Sequence, residues 1–278
     1  MNLKLVSHVN ADGDLIEAWL KYYLVLGVTH FHFVVHGGPK QNNRLYAIKD
    51  AYPITIESTY EGPFLGQHKK SHLDALLARF TEQWILLVDS DEFVEFPYRS
   101  IPKTIRRLEF EGATVMAAPM LQRLKADGGL ETPPSIENPF EVMPLCSVDL
   151  YQRMGAEAAC ILKHPLFFCG SNTQLKEEGN HHPPRGSEQR ISVMSGVTHH
   201  FKFRQTVSER LDRRINSAYL YRHESVQFRE FLDGHSNRLP LEGAFPYSRE
   251  ELFRRGLLRR LSLRNKVGSV ARKLGVRS

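Results

Sequence analysis

From residue 3 to residue 88 the apolar positions switch repeatedly between the two-residue period of a strand and the 3.6-residue period of a helix. Residues 3–9 form a short β-prone run, and Asp12-Gly-Asp14 behind it supplies turn and cap chemistry. Leu15, Ile16, Trp19, Leu20, Tyr23, Leu24 and Leu26 then recur at helical spacing, and Gly27 is placed to end the helix. Trp19 and Tyr23 are expected to be core residues that seat this helix on a sheet. Residues 30–35 read as a second strand, stopped by Gly37-Gly38-Pro39. A polar helix over 42–51, a strand over 54–57 and a helix over 66–80 follow. They lead into 84–88, an uninterrupted apolar run of the kind that forms a strand buried on both faces. Strands and helices in strict alternation predict an α/β fold, a doubly wound, mainly parallel sheet flanked by helices.

Beyond residue 91 the rhythm changes. Ser100-Ile-Pro102 is a helix start, with a cap residue and an early proline, and the helix should run to about residue 110. Residues 114–118 and 159–163 read as strands. Residues 126–144, rich in Gly, Pro and Glu, read as a long surface loop near the cleft. A polar loop at 179–186 carries Asn180-His-His-Pro-Pro-Arg185. A strand-like stretch within 193–203 leads through His199-His200-Phe-Lys-Phe-Arg204 to a helix over 208–222, capped by Ser208, and to another over 226–232. No repeats or low-complexity segments appear. The organisation expected is a catalytic domain over 1–223, then C-terminal helices and a tail over 224–278.

The chemistry concentrates where the strand over 84–88 ends. Asp89 and Asp91 arrive there, separated by the small Ser90. Ligands of open α/β sheets bind outside the carboxyl ends of the strands. Two carboxylates facing a cleft there can hold a hard divalent cation, Mn2+ or Mg2+, together with phosphate oxygens. The alternative is a pair of solvated acids beginning a turn, and ten residues do not decide between them.

Composition narrows the setting. With 41% hydrophobic and 24% charged residues the chain is that of an ordinary globular protein. No apolar run approaches a membrane span, and Asn10, Asp12 and Asp14 interrupt any secretory pattern, so a cytoplasmic site is expected. Cys146, Cys160 and Cys169 have no metal-site spacing and fit buried thiols in a reducing compartment. The net charge of +6 is uneven. Residues 249–278 hold ten Lys/Arg against two Glu, a net of +8, which leaves about −2 for the rest when subtracted from +6. Leu252, Phe253, Leu257, Leu258 and Leu261 would form an apolar stripe on a helix there, flanked by arginines. Such a helix can lie peripherally on an anionic membrane, at the inner face, or dock on the catalytic body. Nucleic acid is not expected as a partner, since no aromatic residue follows Phe253 to stack on bases.

Residues 10–36, with Glu17-Ala-Trp19, Leu26-Gly27 and a hydrophobic second strand, resemble the opening of GT-A glycosyltransferases of the family-2-like and family-92 kind. The strand ending in Asp89-Ser-Asp91-Glu-Phe93 matches that family's Asp-x-Asp strand, and His199-His-Phe-Lys-Phe-Arg204 is similar to its closing His-x-basic segment. The resemblance covers about residues 3–223. It implies a GT-A-like domain that moves a sugar from a nucleotide-sugar donor to a saccharide, lipid-linked or other hydroxyl acceptor, with a divalent metal. Asp91 is then the expected direct ligand, with Asp89 in support and either His199 or His200 as the third ligand. Adjacent strand positions face opposite ways, so one histidine of the pair should face the cleft. Asn10, Asp12, His36, Lys69, Asp89 and Ser90 are implied donor contacts. Lys202 and Arg204 share a face if the strand continues, and could either neutralise the diphosphate or form a solvated basic strand edge. The sequence departs from the family at His36, where an acidic or amide residue is usual, and at Asp12, where the family carries Glu beside Asn. An inverting reaction needs a general base, and Glu177, Glu178, His181 and His182 lie in the region expected to face the acceptor. A metal-dependent phosphoester hydrolase using the same residues, and a non-enzymatic membrane-surface module, remain the alternatives.

Overall fold

The computed structural model describes residues 3–10, 12–155, 162–177, 179–186, 189–216 and 222–258. In chain order, β1 (Lys4–Val9), α1 (Ile16–Val25), β2 (His30–His36), α2 (Asn43–Ile48, extended by a 3-10 turn at Lys49–Ala51), β3 (Ile54–Tyr60), α3 (Gly66–Leu77) and β4 (Gln83–Leu87) form the alternating half. There follow β5 (Glu92–Glu95), α4 (Ile101–Phe110), β6 (Val115–Leu124), α5 (Pro139–Val142), β7 (Leu145–Ser147), α6 (Leu150–Arg153) and β8 (Leu162–Cys169). The chain closes with β9 (Val197–His200), α7 (Val207–Ile215), α8 (Arg222–Gly234), β10 (Phe245–Pro246) and α9 (Arg249–Arg254).

The sheet runs β10-β7-β6-β8-β4-β1-β2-β3, with β9 joined to β6 and β5 to β9. Strands β3, β2, β1 and β4 are parallel, as the alternation predicts, which sends the carboxyl ends of β1 and β4 to the same edge. Beyond β4 the sheet is mixed: β8 is antiparallel to both β4 and β6, whereas β9 is parallel to β6.

Local chemistry explains the boundaries. Gly27 sits at φ 103°, donates to Leu24 O at 3.0 Å, and leaves room for Pro102 Cδ 3.2 Å from where a Cβ would stand, so α1 ends there and α4 begins alongside. Ser100 caps α4, accepting from Lys103 N. The strand expected over 54–57 runs on to Tyr60, and two others, expected to end at 118 and 163, run on past a proline. β6 runs past Pro119, which pairs with Leu162, and β8 runs past Pro165, which lies in the register shift between Met116 and Ala118. Proline is tolerated where the ladder is already irregular. The part of the expected strand over 159–161 lies outside the described residues. Ser208 is not the cap of α7. The helix starts at Val207 behind Thr206, which makes no side-chain cap bond.

The core has two faces. On one, α1 covers the sheet with Trp19, Leu20 and Tyr23 against Phe31, Phe33, Phe93 and Phe201. On the other, Leu73, Leu76 and Leu77 of α3 cover Val6, Val34, Ile85 and Phe167. Each fully buried aliphatic or Phe side chain contributes roughly 1.5–3 kcal/mol of transfer free energy. Helix α8 buries Phe228 and Leu232 with Phe203, Val207 and Leu211, and Leu252, Leu257 and Leu258 bury against Leu121, Cys146 and Val197. The apolar stripe is therefore docked on the body as far as residue 258. Phe253 is left half exposed, and residues 259–278, with Leu261 and most of the tail's charge, lie outside the described residues. Cys146 and Cys169 are free and buried, and Cys160 is also outside the described residues. Among the described residues no helix is long and apolar enough to cross a membrane.

Candidate active site

A cavity of about 350 Å³ opens at the carboxyl edge of β1 and β4. Its floor is the turn Asp89-Ser90-Asp91, and the turn is held from behind. Trp19 Nε1 donates to Glu92 O at 2.9 Å and to Asp89 O at 3.2 Å, while Tyr23 Oη donates to Glu92 O at 2.9 Å. These two core residues thus do more than pack, because they tie α1 to the backbone that aims the carboxylates. Glu92 is buried, takes Lys163 Nζ at 2.8 Å on one oxygen and accepts from Asp89 N at 3.3 Å on the other. Lys163 also donates to Gly179 O at 2.6 Å, so one buried pair links the Asp turn to the 179 loop. That loop is closed by the Gln174–Arg185 bridge and by Gly186 at φ 99°, where a Cβ would stand 1.7 Å from Asn172 O.

The three aspartates of the cleft have different surroundings. Asp89 Oδ1 accepts from the buried Lys69 Nζ at 2.6 Å. Burial raises the Asp89 pKa, but Lys69 and Lys163 outweigh it and hold the carboxyl below its usual range. Asp12 accepts from Ser90 Oγ at 2.5 Å, from Arg204 Nη2 at 2.7 Å and from Arg210 Nη1 at 3.2 Å. Burial and the nearby Asp91 nevertheless push it upward. Asp91 is held more loosely, with Arg210 Nη1 at 3.4 Å from Oδ2 and His200 Nε2 at 3.5 Å from Oδ1. Burial opposes its charge, yet His200, Arg210 and Arg204 keep it well below the carboxylate range.

Strand β9 and helix α7 make the opposite wall. The two histidines diverge as strand alternation requires. His200 lines the cavity. His199 points away, 1% exposed, against Phe140 and Tyr247 and 3.9 Å from Glu95 Oε2, and burial lowers its pKa to about 4. His199 is thus displaced from the expected metal position. Arg204 also lacks the role in diphosphate binding that the sequence led us to expect. It is 0% exposed, and its guanidinium is consumed by Asp12, by Asp14 at 2.7 Å and by Phe201 O, so it ties the Asp12–Asp14 turn to β9 and offers nothing to a diphosphate. Lys202 does line the cavity, with its ammonium over the rings of Tyr151 at 4.6 Å, Phe228 at 5.0 Å and Phe203 at 5.7 Å. Burial, then Arg214, lowers its pKa to about 7. Arg210 and Arg214, four residues apart on α7, also face the cavity.

Of the other expected contacts, Asn10, Asp12, Ser90 and Lys69 line the cavity. Asn10 Oδ1 accepts from Gln41 Nε2 at 2.6 Å. His36 does not line it. Its Nε2 donates to Gly62 O at 2.9 Å, its ring stacks on Tyr60 at 4.8 Å, and it borders a shallower hollow with Gly37 and Gly38. Ring packing drew it under the β3–α3 loop, and His8 of β1 takes the cavity position instead. Among the base candidates, Glu177 lines the cavity, and its Oε1 is buried with no hydrogen-bond partner among the described residues. His181 also lines it, but burial and Lys163 lower its pKa to about 3. The His182 side chain is 47% exposed, outside the lining, 3.9 Å from Glu177 Oε2. Glu178 lies outside the described residues. Sequence reading missed Lys163, Arg210, Arg214, Tyr151 and Glu224. The i,i+4 arginines on the helix after the His pair were the available signal, whereas nothing local marks the others.

Among the described residues no three His, Cys, Asp or Glu side chains form a closed metal cage. Asp91 Oδ1 and His200 Nε2, 3.5 Å apart, stand at a spacing that two donors sharing one cation can adopt at roughly 2.1 Å each. The pair fits two positions of an open divalent site, whose others would fall to water or phosphate oxygens, while Asp89 is engaged by Lys69.

No family model matches the chain, and no curated protein does. Among solved structures it is similar to residues 1–349 of S. aureus TarS, at 13% identity and a TM-score of 0.37, covering 84% of this chain and 72% of that one. The same values hold for that TarS fragment in complex with UDP-GlcNAc. It is also similar to CMP:2-keto-3-deoxy-manno-octonic acid synthetase complexed with CTP, at 10% identity and a TM-score of 0.31, covering 85% of this chain and 87% of that one.

Proposed function

We propose that this cleft transfers a glycosyl group from a nucleotide-sugar donor to a hydroxyl acceptor. The observation that carries the reading is one cavity into which the Asp91–His200 pair and three cationic side chains of the β9–α7 wall, Lys202, Arg210 and Arg214, all face. A nucleoside diphosphate leaving group needs such a site, because breaking the bond from the anomeric carbon to the phosphate oxygen leaves negative charge on the phosphate. Three cationic side chains from one stretch of chain can hold that charge, and arginine forks suit phosphate oxygens. A divalent cation at Asp91 and His200 would add Lewis-acid neutralisation of the same oxygens when bound. Glu177 is the base the geometry favours for an inverting reaction: its carboxylate lines the cavity, with one oxygen that has no hydrogen-bond partner among the described residues, and would take the acceptor's hydroxyl proton as the acceptor oxygen bonds to the anomeric carbon. His181, held neutral by burial, would orient the acceptor rather than deprotonate it.

The test is a thermal-shift panel of nucleoside diphosphates with and without Mn2+, followed by turnover of the matching nucleotide sugar with and without saccharide acceptors. A ligand at one hundred times its Kd stabilises by about 2.7 kcal/mol, an easily measured shift. One nucleotide should stabilise the protein, more strongly with Mn2+, and transfer should need an acceptor. Acceptor-independent release of inorganic phosphate would instead establish the hydrolase reading, and no stabilisation by any nucleotide would refute both.

A further inference from the structure

Arg210 stands where a cation would have to arrive. Of the cleft's aspartates, Asp12 and Asp89 have partners at 2.5–2.7 Å, whereas Asp91 is held at 3.4 Å by Arg210 and 3.5 Å by His200. Arg210 does not depend on Asp91 for its place. Its Nη2 donates to Lys202 O at 2.8 Å, and its Nη1 also reaches Asp12 Oδ1 at 3.2 Å. Asp12 in turn does not depend on Arg210, because Arg204 and Ser90 already satisfy it. The guanidinium therefore contributes mainly charge to Asp91, at a distance too long for a strong hydrogen bond.

From this arrangement we infer that Arg210 is an internal counter-ion to Asp91, which makes cation binding conditional on the anionic donor. The inference rests on the reading of Asp91 as a cation-binding carboxylate. Before a donor binds, the positive charge of Arg210 between Asp12 and Asp91 repels a divalent cation approaching the same oxygens. When a diphosphate enters, the guanidinium has a second anion within the same cavity to pair with, and the repulsion at Asp91 falls. Each ligand then strengthens the other, and by linkage the coupling is reciprocal. The energy comes from charge placement already built into the cleft, so no domain movement is needed.

The experiment is calorimetric titration of Mn2+ into wild type, Arg210→Met, Arg210→Lys and Asp91→Asn, each with and without the nucleoside diphosphate that stabilises the protein, after melting curves show that all are folded. Arg210→Met should bind Mn2+ alone about tenfold more tightly than wild type, and the nucleotide should improve that affinity much less. Arg210→Lys keeps the charge and should stay near wild type. Asp91→Asn should lose the Mn2+ isotherm. If Arg210→Met binds Mn2+ no more tightly while Asp91→Asn abolishes binding, the counter-ion role is wrong and the metal site stands. If all four proteins bind Mn2+ alike, or none binds it, the metal assignment fails and the inference with it.

Discussion

Replacing Arg204 by methionine separates two roles that the sequence assigns to the same side chain. Arg204 is 0% exposed and holds Asp14 Oδ2 at 2.7 Å, Asp12 Oδ1 at 2.7 Å and the Phe201 carbonyl. Methionine keeps most of the volume and removes every one of these bonds. Asp12 would retain Ser90 and Arg210, but the Asp14 side chain, 8% exposed, would lose its guanidinium partner. Removing one member of a buried pair costs about 3–5 kcal/mol, because the stranded charge cannot recover its hydration. For a chain of this size that corresponds to a fall in Tm of roughly 10 °C, read in the absence of any ligand. The double variant Arg204→Met/Asp14→Asn should recover part of the loss, since the uncompensated carboxylate is gone, and the cycle measures the coupling. Lysine should not rescue, as one ammonium cannot reproduce the fork that reaches Asp12 and Asp14 together. Differential scanning calorimetry of wild type, Arg204→Met, Asp14→Asn, the double variant and Arg204→Lys decides the matter. An unchanged apo Tm in Arg204→Met, with only nucleotide affinity reduced, would refute the structural role and restore Arg204 as an anion-binding side chain.

Three further outcomes are expected. His200→Ala should lose Mn2+-stimulated activity at an unchanged Tm, whereas His199→Ala, emptying a site between Phe140 and Tyr247, should lose on the order of 2 kcal/mol in urea denaturation and keep Mn2+ stimulation; matching profiles would contradict the opposed orientations. The Lys202 pKa is lowered to about 7, so its ammonium is charged below that pH and neutral above it; affinity for a nucleotide sugar, whose diester phosphates do not titrate near neutrality, should fall as pH rises through about 7, and Lys202→Met should flatten that step in calorimetry. Because Leu252, Leu257 and Leu258 are buried against the body, any retention on anionic vesicles should come from the basic tail. Deleting residues 262–278 should therefore weaken co-sedimentation at low salt, and salt-insensitive binding would exclude an electrostatic origin.

The sequence by itself determined the features that depend on neighbours along the chain. Strand and helix periods placed β1 through α3 and the run into β4. The Asp89–Asp91 turn at a strand's carboxyl end marked the cleft, and two-residue alternation already required His199 and His200 to part. Tertiary structure alone decided which charged side chains reach the cavity. Lys202, Arg204 and Arg210 come from one short stretch of similar composition. Arg204 is spent on Asp12, 192 residues away in sequence, while Arg210 and Lys202 are left at the cavity wall. Lys163 entered the site only because β8 is inserted antiparallel between β4 and β6, which sets it against Glu92. His36 left the site because its ring found Tyr60 and its Nε2 found Gly62 O. An ion pair or a ring stack is chosen by distance in space, and a linear pattern records such distances only within a turn or two of helix or along one strand.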